Sequence, residues 1–527
     1  MKKTMQYLRL AAFVAAGVLL AGCAKEEEPV ANQEIETEDV VVTLTASVSF
    51  GESASRTLSG TGEKTFAVGD QIAVVYTNTS NATVKATSQA LTVGDITNAG
   101  KSAQFTVSLT NPSSTNLSVR YVYPASMVND SGVMTSLASQ TGTLAGLQAF
   151  DYAEGSGTRT SDALPAIDLT NQLAVGVFTL KDHAGSADLS GITKVEIFST
   201  EGDYTITPTS TISWPIYVAM KPVANKAVSF KASDATNNYW KLVSGATLAA
   251  NNFYPISVTM GVPGALPGKF SVTNTIQVYF SQGNLQYQAS STTWRFANTQ
   301  LNFLGAAGGN LTAEDSRVNQ SGWIDFFCWG TGSTSDAYKL SVIKSSFVEW
   351  GANSILNGGS DRNWSTLPKN AWIGLLTQRS TTTFQQTSGE KSVRYAKATV
   401  NDVEGMILFP DDWDTALFDP VYPDYPTSTF ASNKIASSDW ARMEAFGAVF
   451  LPAAKSRYNR VYDSGSTAKY GLYWTENSEG DTYADAMFFE ESHVDLIYQH
   501  QFNTFGSSPV VFYRSHGCSV RLVRIVP

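Results

Sequence analysis

Four histidines, three cysteines and a scatter of carboxylates are what the chain offers for acid–base, nucleophilic or metal chemistry. His183, His493, His500 and His516 show no metal-ligand spacing. Apart from Cys23 the thiols are Cys328 and Cys518, which read as small buried hydrophobes or as one disulfide outside the cytosol. Asp411-Asp412 has the residue type for a hard cation, but a helix cap or a hydrogen bond to the turn at Trp413 accounts for it better. No Gly-x-Ser-x-Gly elbow and no phosphate-cradling glycine loop occurs, and the carboxylates show no pairing. The residues therefore predict no catalytic centre, no metal and no cofactor.

What remains is recognition chemistry. Tyr498-Gln499-His500-Gln501-Phe502-Asn503-Thr504-Phe505-Gly506-Ser507-Ser508 sets amphipathic rings beside adaptable amides and hydroxyls. It has no period of 2 or 3.6 and little charge. The candidate ligand-binding residues are Tyr498, His500, Phe502, Asn503, Phe505, Tyr513, Ser515 and His516, with His493 and Phe512 beside them. A surface loop that merely ends a fold has the same composition. The element that must position these residues is a strand over 518–526, where Val520 and Leu522 alternate with Ser519 and Arg521. Its apolar face is expected in the core and the rings in one exposed patch beside it.

The closing segment Gly517-Cys518-Ser519-Val520-Arg521-Leu522-Val523-Arg524 resembles the last strand of the C-type-lectin-like fold. More narrowly it is similar to the major-paralogous-domain proteins of gut-type bacteria. Val278-Tyr279-Phe280-Ser281-Gln282-Gly283-Asn284, Trp294-Arg295-Phe296-Ala297, Gly405-Met406-Ile407-Leu408-Phe409-Pro410-Asp411-Asp412-Trp413, Gly447-Ala448-Val449-Phe450-Leu451-Pro452 and Tyr473-Trp474-Thr475 extend the resemblance over residues 270–527. It implies two helices beside a mixed sheet. Two helices are expected, over residues 368–379 and 437–446, the second capped by Ser437 or Ser438. In lectin-like relatives with a diversified ligand face, the segment before the last strand is that face. The fold also hosts formylglycine-generating enzymes with a cysteine pair; buried hydrophobes or a disulfide remain the better reading of Cys328 and Cys518. Nine of the eleven tryptophans lie beyond residue 290, and most of them are expected in the core.

Residues 40–260 resemble the fimbrillin-like family, the pilins of protease-activated pili. Phe66-Ala67-Val68-Gly69-Asp70-Gln71-Ile72-Ala73-Val74-Val75-Tyr76, Tyr121-Val122-Tyr123-Pro124, Asn171-Gln172-Leu173-Ala174-Val175 and Asn252-Phe253-Tyr254-Pro255-Ile256 carry that resemblance. It implies two β-sandwich subdomains. The local patterns agree, with strands expected over 40–50, 103–109, 173–180, 192–198 and 254–260 between Gly, Asn and Ser turns. Arg56 stands alone among small residues after the first strand, in the setting where proteases cut. Cleavage there would free the first strand, and the resemblance implies that another subunit's strand fills the groove by strand addition.

At the N-terminus, Lys2, Lys3 and Arg9 precede an apolar run too short to span a membrane, and Leu20-Ala21-Gly22-Cys23 matches the bacterial lipobox. The match implies lipidation of Cys23 and a membrane anchor. Lys25-Glu26-Glu27-Glu28 resembles the export signal of surface-exposed lipoproteins, and also suits a solvated linker. Charged residues are 16% of the chain and its net charge is −10, with no basic cluster, which argues against a nucleic-acid partner.

The expected architecture is mainly β. A signal peptide (1–23) and acidic tether (24–39) precede sandwich subdomains at 40–160 and 161–262, with the inner boundary in Glu154-Gly155-Ser156-Gly157-Thr158. A linker (263–269), which overlaps Gly261-Val262-Pro263-Gly264-Ala265-Leu266-Pro267-Gly268, leads to an α+β lectin-like domain at 270–527. The expected protein is a non-enzymatic fimbrial subunit of the outer membrane and cell surface, a tip adhesin for a glycan or protein. A non-polymerising carbohydrate-binding surface lipoprotein is the alternative.

Overall fold

Residues 40–50 alternate apolar and hydroxyl side chains, and Val41–Phe50 is a strand with Ala46, Val48 and Phe50 buried. It runs antiparallel to Ser102–Thr110 and parallel to Ile167–Asn171, so a neighbour holds each edge. These strands belong to an eight-stranded sheet in the order Thr83–Thr87, Ala73–Thr77, Leu117–Tyr123, Ala153–Arg159, Ile167–Asn171, Val41–Phe50, Ser102–Thr110, Ile96–Thr97. Phe50 stacks on Phe66 at 4.3 Å, and Phe66 meets Phe105 edge-on at 5.4 Å. The computed structural model describes residues 39–50, 65–113, 117–160, 163–386, 389–421, 429–463, 469–491, 494–497 and 512–527. Val41–Pro527 forms one compact unit; of Met1–Val40 only Asp39 and Val40 are described.

A second core lies between a three-stranded sheet, Ile216–Met220, Ala174–Lys181 and Phe253–Thr259, and a five-stranded one. The latter runs Asn238–Leu248, Val223–Ser233, Lys194–Ser199, Gly202–Ile206, Ser139–Gln140. Four of the five strands anticipated from pattern end within one residue of their expected bounds at both ends: Val41–Phe50, Ser102–Thr110, Ala174–Lys181 and Phe253–Thr259. Lys194–Ser199 starts two residues late and ends one beyond.

Two expected breaks are packed structure instead. Glu154-Gly155-Ser156-Gly157-Thr158 lies inside the strand Ala153–Arg159, paired with Leu117–Tyr123. Its glycines serve close approach rather than a turn: a Cβ on Gly155 would collide with Ile167, and one on Gly157 with Pro165. The first sheet therefore continues through Asn171. The supposed linker is likewise packed, with Ala265 and Leu266 buried and Leu266 N–H bonded to Phe280 O at 2.9 Å. Gly268 lies so close to Gly447 that neither has room for a side chain.

Beyond Phe270 short sheets surround two aromatic cores, one including Trp294, Trp329, Trp350, Trp364 and Trp474, the other Trp372, Trp413 and Trp440. Trp323 is half-buried, with the Arg295 guanidinium 3.6 Å from its ring centre. Both expected helices form. Lys369–Ile373 continues as a π-helical turn, Gly374–Gln378, and Ser437–Ala445 is the other. Ala436 occupies the N-cap of the second, and neither Ser437 nor Ser438 caps it, since both lie inside the helix.

The closing ladder, Leu522–Ile525, is an inner strand between Gln277–Phe280 and Ser365–Thr366. Val520 and Leu522 are buried as expected. Ser519 and Arg521 are buried too, so the segment has no solvent face there. Arg521 Nη2 donates to Gln300 Oε1 at 2.7 Å, and Gln300 Nε2 donates to Glu444 Oε1 at 3.1 Å. Glu444 lies 4.0 Å from Lys231 of the second sandwich, whose amine sits 4.5 Å above the Trp240 ring. Burial lowers Arg521 to about 10 and raises Glu444. Arg442 of the same helix bonds Asp203 and, at 3.0 Å, Ser199 O. The closing strand, the helix and the second sandwich are thus one polar frame.

Arg521→Ala leaves Gln300 and Asn284 without their buried partner and should cost about 3–5 kcal/mol in chemical denaturation. Lys181→Ala, which breaks the part-exposed pair with Asp188, should cost less than about 1 kcal/mol. Equal losses in the two variants would contradict the frame.

Candidate ligand-binding face

The turn that leads into the closing strand brings rings together. His516 N–H donates to Tyr513 O at 2.8 Å, which sets the two side chains 5.6 Å apart. Tyr483 bridges Tyr513 in antiparallel register, and their rings lie 5.2 Å apart. Arg457–Tyr458 pairs through Arg457 with Gly517, which carries Tyr458 to 4.9 Å from the His516 ring. Tyr458 is 52% exposed and Tyr513 37%, while Tyr483 and His516 are half-buried. The four form one face of phenol and imidazole with a wet edge, the amphipathic geometry that recognition surfaces use.

The backing of this face is rigid. Arg514 is buried at 2% exposure, and its guanidinium stands 4.6 Å over the Trp329 ring. It donates to Tyr483 O at 3.1 Å and to the carbonyls of Lys344 and Gly480, clamping the strand that carries Tyr483. Arg457 is also buried, donating to Asn459 O at 3.0 Å and to Leu340 O. Its side chain lies flat on Gly517, where a Cβ would come within 2.6 Å of it. Cys328 lies beneath, its thiol 3.3 Å from Ser515 O and 3.7 Å from Arg457 Nη2. Cys328 and Cys518 are both buried and unbonded, and burial holds the Cys518 thiol far above its usual range.

Of the expected site residues, the structure brings Tyr513 and His516 to this face, while half-buried Ser515 between them meets the Cys328 thiol beneath through its carbonyl. Tyr498, His500, Phe502, Asn503 and Phe505 lie outside the described residues, as do His493, Cys23 and Arg56. Phe512 is buried in the tryptophan-rich core and meets the His516 ring edge-on at 5.7 Å from below, so it backs the face as packing. Tyr458 and Tyr483 join the face from distant segments. Neither carries a local pattern, so only long-range pairing reveals them. Asp411 is structural, its Oδ2 accepting from Ser271 N at 2.8 Å and from Gln277 Nε2 at 2.8 Å. Among the described residues no group of three or more His, Cys, Asp or Glu side chains is placed to hold a metal.

No protein-family model and no curated protein matches the sequence. Among solved structures, a fimbrial assembly protein from Parabacteroides distasonis is 13% identical with a TM-score of 0.25, over 49% of this chain and 99% of its own. A candidate cell adhesion protein from Bacteroides fragilis is 13% identical with a TM-score of 0.26, over 48% and 97%. Another from Bacteroides ovatus is 12% identical with a TM-score of 0.26, over 42% and 93%. At this level of similarity we assign the chain no family, ligand or activity.

His516 gives the face a pH signature. Burial, with the Arg457 charge second, lowers its pKa from 6.5 to about 4. A depressed pKa favours the neutral ring in the fold, so its stability is present above pH 6.5 and is lost as pH falls towards 4. From pH 7 to pH 4 the wild type should lose about 2 kcal/mol more than His516→Gln, discounted for partial exposure. Parallel stability–pH curves for the two proteins would remove His516 from the buried setting described.

Proposed function

We propose that the chain is a surface-anchored fimbrial subunit, placed at the tip as an adhesin. It binds a glycan or a surface protein through a C-terminal lectin-like domain, at the face of Tyr458, Tyr483, Tyr513 and His516. The observation that carries the assembly half of this reading is the seating of Val41–Phe50, held at both edges with Ala46, Val48 and Phe50 buried. A cut after Arg56 severs that strand from the fold. Its loss opens the backbone edges of Ser102–Thr110 and Ile167–Asn171 over a floor that includes Phe66 and Phe105. An incoming strand with an apolar residue at every second position restores both ladders. Cys23, in its lipobox, supplies the anchor.

The ring face alone suits equally a surface lipoprotein that binds carbohydrate and never polymerises. The two readings part at Arg56. Terminal sequencing of assembled, surface-extracted protein should return Thr57; Cys23 as the sole terminus of assembled material would overturn strand exchange and leave the lipoprotein reading.

The binding half is tested on paired variants, with ligands first identified in a glycan and surface-protein screen of the full chain. Tyr458→Ala and Tyr513→Ala should each weaken binding by about 2 kcal/mol. Both residues are exposed, so the melting temperature should move little. Phe512→Ala removes a core ring and should cost about 3–5 kcal/mol of stability. Unchanged binding in both tyrosine variants would rule out the face.

A further inference from the structure

A cavity of about 290 Å³ opens where the second sandwich meets the C-terminal region, and none of the four ring residues lines it. One wall is Lys241, Leu242 and Ser244 of Asn238–Leu248; another is Thr259 to Val262 at the end of the sandwich. Ala265, Leu266 and Pro267 form the floor, and Tyr279, Asp412 and Arg524 close the far side. Its size is at the low end of small-molecule sites, about 300–1,000 Å³, and a junction between packed units is a usual place for one.

The chemistry of its lining is two-part. Leu242, Met260, Val262, Leu266 and Pro267 give an apolar interior, with the Tyr279 ring half-buried beside them. Burial raises the Tyr279 phenol above its usual range, so it stays neutral and available as a donor. The mouth carries charge. Arg524 is already engaged, with Nη1 2.8 Å from Asp361 Oδ1. Lys241 and Lys269 are exposed, and neither makes an ion pair or a side-chain hydrogen bond among the described residues. Asp412 is the one acidic side chain in the lining, where Pro527 also lies, and exposed His183 adds an imidazole. Two free amines against one acidic side chain give the mouth a local excess of cationic side chains in a chain whose net charge is −10.

We propose that this junction cavity binds a small amphiphilic anion, with an apolar body against Met260, Val262 and Leu266 and an anionic head between Lys241 and Lys269. The apolar interior excludes a purely ionic ligand such as acetate or phosphate, which gains nothing from the floor. The lysines discriminate against a neutral alcohol of the same length, since a charged head gains their attraction. Because both sides of the junction line the cavity, an occupant also braces the sandwich against the C-terminal region.

Titration calorimetry on the full chain tests this, with octanoate, octyl sulfate and octyl phosphate as anionic probes and octanol and acetate as controls. Octanoate should saturate one site at least tenfold more tightly than octanol, with acetate silent. The two other octyl heads identify which anion the lysines prefer. Lys241→Glu with Lys269→Glu should weaken octanoate at least tenfold and leave octanol unchanged. Val262→Trp, which fills the cavity, should abolish both. Equal binding of octanoate and octanol, retention in the filled variant, or no binding of any octyl probe would each overturn the proposal.

Discussion

A guanidinium cut off from water must find acceptors, and Arg521, directly before the closing strand, finds them for both Nη atoms while its Nε is left without one. Its acceptors are Gln300 and Asn284, and Gln300 passes the connection to Glu444 on the helix Ser437–Ala445. That helix carries Arg442 into the second sandwich and approaches Lys231 there. Since no member can shift without stranding a buried polar group, strand, helix and sandwich hold one another in register. The ring face inherits this rigidity. His516 and Gly517 directly precede the buried segment, and Arg457 and Arg514 pin the neighbouring loops through backbone carbonyls.

The two ends of the described chain are built on opposite terms. The closing segment 518–523 is buried on both faces and carries an ion whose acceptors this frame supplies. The opening strand is buried on one face; its other face is Thr43, Thr45 and Ser47, which point to water. Nothing in Val41–Phe50 is a buried charge, and its pairing uses backbone groups that any strand possesses. Replacing it requires only alternation in the correct register, since a slip of one residue would turn the apolar side chains outward. The proposed exchange is therefore open to the first strand on these terms and closed to the last.

The elements legible in the sequence were those with a period and a polar face. Val41–Phe50 and Ser437–Ala445 declare themselves by alternation and by the spacing of Trp440 and Met443. Glycine was the main source of error. Gly155, Gly157 and Gly268 look like turn and linker residues but mark places where another backbone or side chain packs against them. Arg521 misled for a related reason, since alternation assigns a charged residue to solvent unless a distant amide receives it. Tyr513 and His516 were legible because the closing strand fixed their position. Tyr458 and Tyr483 were not, because their approach depends on pairings of Arg457 with Gly517 and of Tyr483 with Tyr513.

The proposed exchange of the first strand is tested by size-exclusion chromatography with light scattering on the chain beginning at Thr57. The account predicts that this shortened chain stays folded and forms oligomers, that a peptide of residues 40–50 returns it to monomer, and that the same peptide with Ala46, Val48 and Phe50 changed to Asp does not. A shortened chain that remains monomeric and folded, or oligomers indifferent to the peptide, would contradict it.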